Sequence, residues 1–155
     1  MDGFLMVLFY FIESSLLVAA GPGLLGMRPR IGQILLVGLV HGLAVWGVRT
    51  LYQVLKIPFG SHTLILAIIL FLCLWQLAKL PIFVAISGAA ISVTLLLISE
   101  PLILIPFVGY LNLTFEQIMK NFLLFFPIAL VGDSLLILAV ILGFFLKKRA
   151  FNQSR

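Results

Sequence analysis

At 155 residues, 63% hydrophobic and only 10% charged, with a mean hydropathy of +1.29, the chain lies far from soluble domains, where about 25% of residues are charged and about 45–50% apolar. This composition excludes a disordered chain, which lacks apolar surface, and a nucleic-acid binder, because the ten Lys and Arg behind the net charge of +5 are scattered among apolar runs and form no phosphate-tracking stripe. A single cysteine, Cys73, excludes an intrachain disulfide framework and multi-cysteine metal sites, and at about 20 residues per crossing the length holds five or six membrane spans and no soluble domain.

Apolar runs predict five transmembrane helices, at about 4–26, 31–55, 60–79, 81–108 and 121–146, in an all-α membrane bundle forming one integral domain over 1–155. The first begins Met1-Asp2-Gly3 and carries Glu13. That acidic start and internal charge distinguish it from a signal peptide, although Val18-Ala19-Ala20 imitates a cleavage site. Met27-Arg28-Pro29-Arg30 breaks it from the second span, where Gly38, Gly42, Val45, Arg49 and Tyr52 share one helical face with His41 at its edge. Gly38-Leu39-Val40-His41-Gly42 is a GxxxG match that admits another backbone closely. After Lys56-Ile57-Pro58-Phe59-Gly60 the third span begins, with His62 at its mouth, and the tight turn Lys79-Leu80-Pro81 makes spans three and four antiparallel neighbours. Gly88 and Ser92 give span four a small surface like that of span two, so the two are expected to touch there and diverge toward Glu100 and Arg49. Pro101 and Pro106 follow, and each frees carbonyls in a way that suits a cavity wall. Leu113, Phe115 and Ile118 against Thr114, Glu116, Gln117 and Lys120 predict a short interfacial helix, N-capped by Thr114 with Gln117 three residues on. The fifth span contains Pro127 and sets Asp133 beside the flexible Gly132.

Orientation follows from the basic residues. With five spans, Arg28, Arg30, Lys79, Lys147, Lys148, Arg149 and Arg155 fall on one side and only Lys56 and Lys120 on the other, which places the N-terminus outside and the C-terminus in the cytoplasm. The basic excess is thus mainly a topology signal, and Lys147-Lys148-Arg149 also attracts anionic lipid.

An ionisable side chain at the centre of a span costs about 2.5–3.5 kcal/mol on insertion scales, so each such residue should face a partner or a watery cavity. Arg49 lies roughly 9 Å from the outer end of its span at 1.5 Å per residue, a depth matched by Glu100 and Glu13. A pair between Arg49 and Glu100 or Glu13 is therefore expected, in an outward-facing polar pocket with Tyr52 and His62. His41 and Asp133 fall nearer the midplane, and Gly38, Gly42, Gly88 and Ser92 are candidates for helix packing. No enzyme, metal or cofactor signature stands out: there is no HExxH, no serine nucleophile motif faces His41 or His62, and Cys73 sits in an apolar run as a small hydrophobe.

Several segments together resemble one family: Glu13 in span one, Leu25-Gly26-Met27-Arg28-Pro29-Arg30 before Gln33-Ile34-Leu35-Leu36-Val37-Gly38, then Val48-Arg49-Thr50-Leu51 and Ile57-Pro58-Phe59-Gly60-Ser61-His62-Thr63-Leu64. Lys79-Leu80-Pro81, Glu100 and Leu113-Thr114-Phe115-Glu116-Gln117-Ile118 continue the likeness. From about residue 5 to 145 the chain resembles the five-span N-terminal membrane sensor region of bacterial histidine kinases of the sporulation or citrate-sensor type. That resemblance implies a sensory module in a bacterial cell membrane. Such kinases continue into a phosphoacceptor helix and an ATP-binding domain, which these 155 residues do not contain, so output is expected through a protein partner or a second copy of the chain. The competing expectation is a small transporter, channel subunit or substrate-binding membrane component in which Asp133 and His41 carry ions or protons. Membrane lipids are partners under either reading.

Overall fold

Backbone N–H and C=O groups in an apolar chain must be satisfied from within, and a helix does this segment by segment. The computed structural model describes residues 3–57, 61–114, 117–118 and 121–153, and every regular element among them is helical. These elements are α1 (Gly3–Leu24), α2 (Ile31–Leu55), α3 (Ser61–Gln76), α4 (Ile82–Tyr110), α5 (Phe122–Gly132) and α6 (Ser134–Gln153). By length and composition α1, α2 and α4 can each cross a hydrocarbon core, and α5 with α6 makes a fourth candidate despite a 54° bend between them. Pro58, Phe59, Gly60, Phe115, Glu116, Met119, Lys120 and Arg155 lie outside the described residues, as do the side chains of Lys147, Lys148 and Arg149.

Two expected spans are revised. The third, read as 60–79, is helical only over the 16 residues Ser61–Gln76, because the chain then winds into a tight turn. Leu80 N–H reaches the Leu74 carbonyl at 3.2 Å, and Lys79 takes the left-handed conformation at φ 53°, ahead of Pro81, which disfavours helix at the residue before it. The fifth, read as one helix over 121–146, is broken. Asp133 caps α5 through its N–H on the Ala129 carbonyl and lends its own carbonyl to Ile137 N–H, both at 3.0 Å, so it belongs to neither helix.

Cross-helix contacts give the directions. Gln33 Nε2 donates to the Ala78 carbonyl, His41 meets the Leu66 carbonyl, and Tyr52 bonds Ser61, so α2 and α3 run antiparallel. Ser14 with His41 and Phe11 beside Gly42 make α1 antiparallel to α2, and Leu17 with Ser92 and Pro22 beside Gly88 make it antiparallel to α4. Gly143 lies against Gly23 at the other end from the cavity shared by Glu13 and Asp133, so α6 runs parallel to α1.

The hub of this arrangement is α1, which packs on α2, α4 and α6. Here the expected contact between spans two and four gives way, because both small surfaces are taken up by α1. A Cβ at Gly38 would strike Ser15, one at Gly42 would lie 3.0 Å from the backbone of Phe11, and one at Gly88 would lie 3.0 Å from Pro22 Cγ. Ser92 goes further than packing. Its hydroxyl accepts from Gly21 N–H at 2.9 Å and donates to the Leu17 carbonyl at 2.6 Å, inserting between the two ends of one helical turn just before Pro22, a residue with no N–H.

Leu17, Val18, Val37, Leu70, Leu74 and Leu136 form the main core, with Cys73 buried among them. Large apolar side chains also cover the outside, Phe83 and Leu123 being 82% exposed each, which is what a lipid-facing surface requires. Thr114 and Gln117 make the expected capping box, Thr114 N–H donating to Gln117 Oε1 at 2.9 Å and Gln117 N–H to Thr114 Oγ1 at 3.3 Å. Beside it Ile118 is buried against Val108 and Ile128.

Candidate functional site

The inward stripe of α1 reads Tyr10, Glu13, Ser14, Leu17, Val18 and Gly21, the i, i+3, i+4, i+7, i+8, i+11 spacing of one helix face. All are buried, Glu13 at 7% exposure among them, so a carboxylate is carried into the centre of the bundle by a helix whose periodicity leaves it no outward alternative. From α2, Arg49 lies half-buried with its guanidinium carbon 4.9 Å from the centroid of the Tyr10 ring, a cation–π geometry. From α4, Glu100 opens a five-residue π turn, Glu100–Leu104. Pro101 lacks an N–H, and Ile105 N–H donates back five residues to the Glu100 carbonyl, which widens the helix where the side chain emerges.

These residues line two adjoining cavities. The first, about 120 Å³, is walled by Glu13, His41, Arg49, His62 and Glu100 among apolar side chains. The second, about 140 Å³, shares Glu13, Arg49 and Glu100 and adds Asp133, with Phe9 and Phe125 opposite. Asp133, expected apart from the pocket at the midplane, is thus a wall of the same polar region, because the break between α5 and α6 turns the chain there. A larger hollow of about 460 Å³ beside Phe4, Leu8, Phe11 and Leu36 is lined by carbon and faces outward.

Among the described residues no Lys or Arg nitrogen lies within 4.0 Å of a carboxylate oxygen. The expected closed ion pair between Arg49 and Glu100 or Glu13 is therefore replaced by a looser triad, in which all three groups act on one another electrostatically while the guanidinium rests on Tyr10. Tyr52 does not line either cavity; its hydroxyl bonds Ser61 Oγ at 2.9 Å and its ring meets His62 edge-on at 5.8 Å, so it supports one wall from behind.

His41 has a structural task as well as a place on the first cavity. Its Nδ1 lies 2.9 Å from Ser14 Oγ and its Nε2 3.2 Å from the Leu66 carbonyl. A carbonyl only accepts, so Nε2 carries the proton and the ring ties α1 to α3 through α2. Replacing it by Leu leaves the buried Ser14 hydroxyl without its partner and removes the second bond on the Leu66 carbonyl, which keeps its own helical one, so His41→Leu is expected to cost about 2 kcal/mol; thermal unfolding in detergent measures this, and His41→Gln should recover part of it.

Tyr10 and Ser14 are site residues that the charge inventory overlooked. They sit three before and one after Glu13, so the signal was present as helical spacing around an already conspicuous acid. Gly38, Gly42, Gly88 and Ser92 stay outside the cavities and bring α1 close to its neighbours. Among the described residues no three His, Cys, Asp or Glu side chains are placed to hold a metal ion together. No protein-family model matches the chain, and no curated protein or solved structure is significantly similar to it.

Proposed function

We propose that the chain is an integral membrane sensory module that binds a small polar ligand in the cavity of Glu13, Arg49, His62 and Glu100, and passes the effect to a protein partner or to a second copy of itself. The observation that carries this reading is the convergence of ionisable residues from α1, α2, α3 and α4 on one small cavity. Charges inside apolar helices are retained at a cost, and the gathering of Glu13, Arg49 and Glu100 on a cavity, with the Arg49 guanidinium over the Tyr10 ring, favours recognition over simple structural pairing.

The membrane arrangement belongs to the same proposal. Five crossings, with α3 as a short one and α5–α6 as a bent one, agree with the alternating helix directions. The Gln33–Ala78 bond holds the loops bearing Arg28, Arg30 and Lys79 at one end, where Arg28 also lies over the Phe144 ring at 4.7 Å. Under the positive-inside rule that end is cytoplasmic, the N-terminus is outside, and the segment around Thr114 and Ile118 lies at the outer interface. The resemblance to kinase sensor regions gives the same direction of reading: ligand outside, output inside through a kinase or another partner in a bacterial cell membrane.

A second reading, transport, is favoured by one observation, the broken last span with Asp133 at the break, since discontinuous helices with acidic residues form ion and substrate sites in transporters. One reconstitution experiment separates the two. Thermal unfolding in lipid nanodiscs is read against a panel of small polar solutes, and the same protein is assayed for flux in liposomes. A sensor gives stabilisation of about 2.7 kcal/mol at a hundredfold excess over Kd, lost in Glu100→Gln, with no flux. Solute or ion movement that depends on Asp133 would replace the sensory reading by the transport one.

A further inference from the structure

The second cavity has a charge imbalance. Three carboxylates, Glu13, Glu100 and Asp133, line it against one cation, Arg49. Asp133 is the most enclosed of them, at 2% exposure, and its Oδ2 is an acceptor with no hydrogen-bond donor among the described residues. Arg49 rests on the face of Tyr10 and is shared electrostatically among Glu13, Glu100 and Asp133, so one cation answers for three acids. The helix break explains how such an atom is held there: Asp133 caps α5 and starts α6 with its backbone, which leaves its side chain no part in either helix.

The shape of the cavity narrows the ligand further. No three acidic or other ligating side chains among the described residues come together as a metal ion would need, so a bare metal ion does not match the spacing, whereas a molecule of several atoms can reach from one carboxylate to another. Opposite the acids, Phe9 and Phe125 meet edge-on at 5.1 Å and offer aromatic surface to hydrocarbon or to an ammonium group. A volume of about 140 Å³ holds only a few heavy atoms.

We infer that this cavity is a site for a small organic cation, an alkylammonium compound whose charged nitrogen is received by Asp133 and one of the other two carboxylates while its carbons lie on Phe9 and Phe125. The inference rests on the pocket reading above and sharpens it, by giving the ligand a charge and naming the residue that receives it.

The test uses the full chain in nanodiscs of uncharged lipid, with n-propylammonium chloride as probe, 1-propanol as its neutral match and sodium chloride at equal ionic strength. Propylammonium is expected to raise the unfolding temperature saturably, beyond either control, and Asp133→Asn to weaken the apparent affinity at least tenfold. Should Asp133→Asn fold poorly, Glu100→Gln, at the exposed rim, is expected to weaken binding in the same direction. Equal responses to propylammonium and sodium, or to propylammonium and propanol, overturn the inference, as does unchanged affinity in both variants. Binding of an anionic or zwitterionic solute that is lost in Arg49→Gln and indifferent to Asp133→Asn overturns the ammonium site and leaves the pocket reading in place. If none of these solutes binds, both fall.

Discussion

Gly21→Val is expected to destabilise the protein in detergent by about 3 kcal/mol or more, the largest effect of any single substitution on the inward face of α1. A Cβ at Gly21 would run into the Gly88 carbonyl oxygen and Ser92 Oγ, so the damage is done to backbone, which has no rotamer to escape into. Overpacking alone costs about 1–3 kcal/mol. The same displacement pulls the Ser92 hydroxyl away from Gly21 N–H and the Leu17 carbonyl, two polar groups that sit where no water is at hand to replace it. The control is two residues away. At Gly23 an added Cβ meets nothing within 4 Å, and Gly23→Ala is expected to be neutral or to gain up to about 1 kcal/mol from helix propensity. Thermal unfolding of the two variants side by side decides it; if both fall equally, the α1–α4 crossing is not as close as described.

Arg49→Ala should come next, at about 3 kcal/mol, the lower end of the range for removing one member of a buried charged set. The lower end applies because Glu100 is exposed and no carboxylate oxygen touches the guanidinium. What remains after the substitution is the buried Glu13 sharing a cavity with Glu100 and without the charge of Arg49. Adding Glu13→Gln to Arg49→Ala should recover part of the loss, with a coupling of about 1 kcal/mol or more; strictly additive losses would show that the three groups do not act as a set. Arg49→Lys keeps the charge and loses the flat face stacked on Tyr10, so it should fall between wild type and Arg49→Ala.

How much of this site could be read beforehand varies residue by residue, and geometry accounts for the differences. Charged residues in hydrocarbon stand out individually, and counting rise per residue is enough to bring Glu13, Arg49 and Glu100 to one level, because α1 and α2 are unbroken helices and α4 stays one continuous helical segment through its π turn at Glu100–Leu104. Asp133 escaped the same count, since the count supposes a straight helix and the chain bends by 54° at that residue. The GxxxG segment announced that something approaches Gly38 and Gly42, but a small surface carries no information about which helix fills it. Three helices present such surfaces, and only their packing shows that α1 takes both Gly38–Gly42 and Gly88–Ser92. The shortness of α3 was hidden for a different reason: hydropathy continues through Leu77 and Leu80, while the local turn around Lys79 does not.

The central position of α1 has a consequence for how the bundle is made. Synthesis delivers α1 before every helix that covers it, so its polar stripe meets the bilayer uncovered. The next segment to emerge is α2, which brings Arg49 and His41, the partners of Glu13 and Ser14. An α1–α2 hairpin is therefore the smallest piece of the chain that can enter lipid with its acid attended by a cation. Of the two remaining flanks of α1, one is covered by α4 and the last stays open until α6 arrives, more than a hundred residues after α1. Ribosome-nascent chains halted before α6 should accordingly be the form most dependent on insertion machinery or membrane chaperones, and docking of α6 the event that releases them.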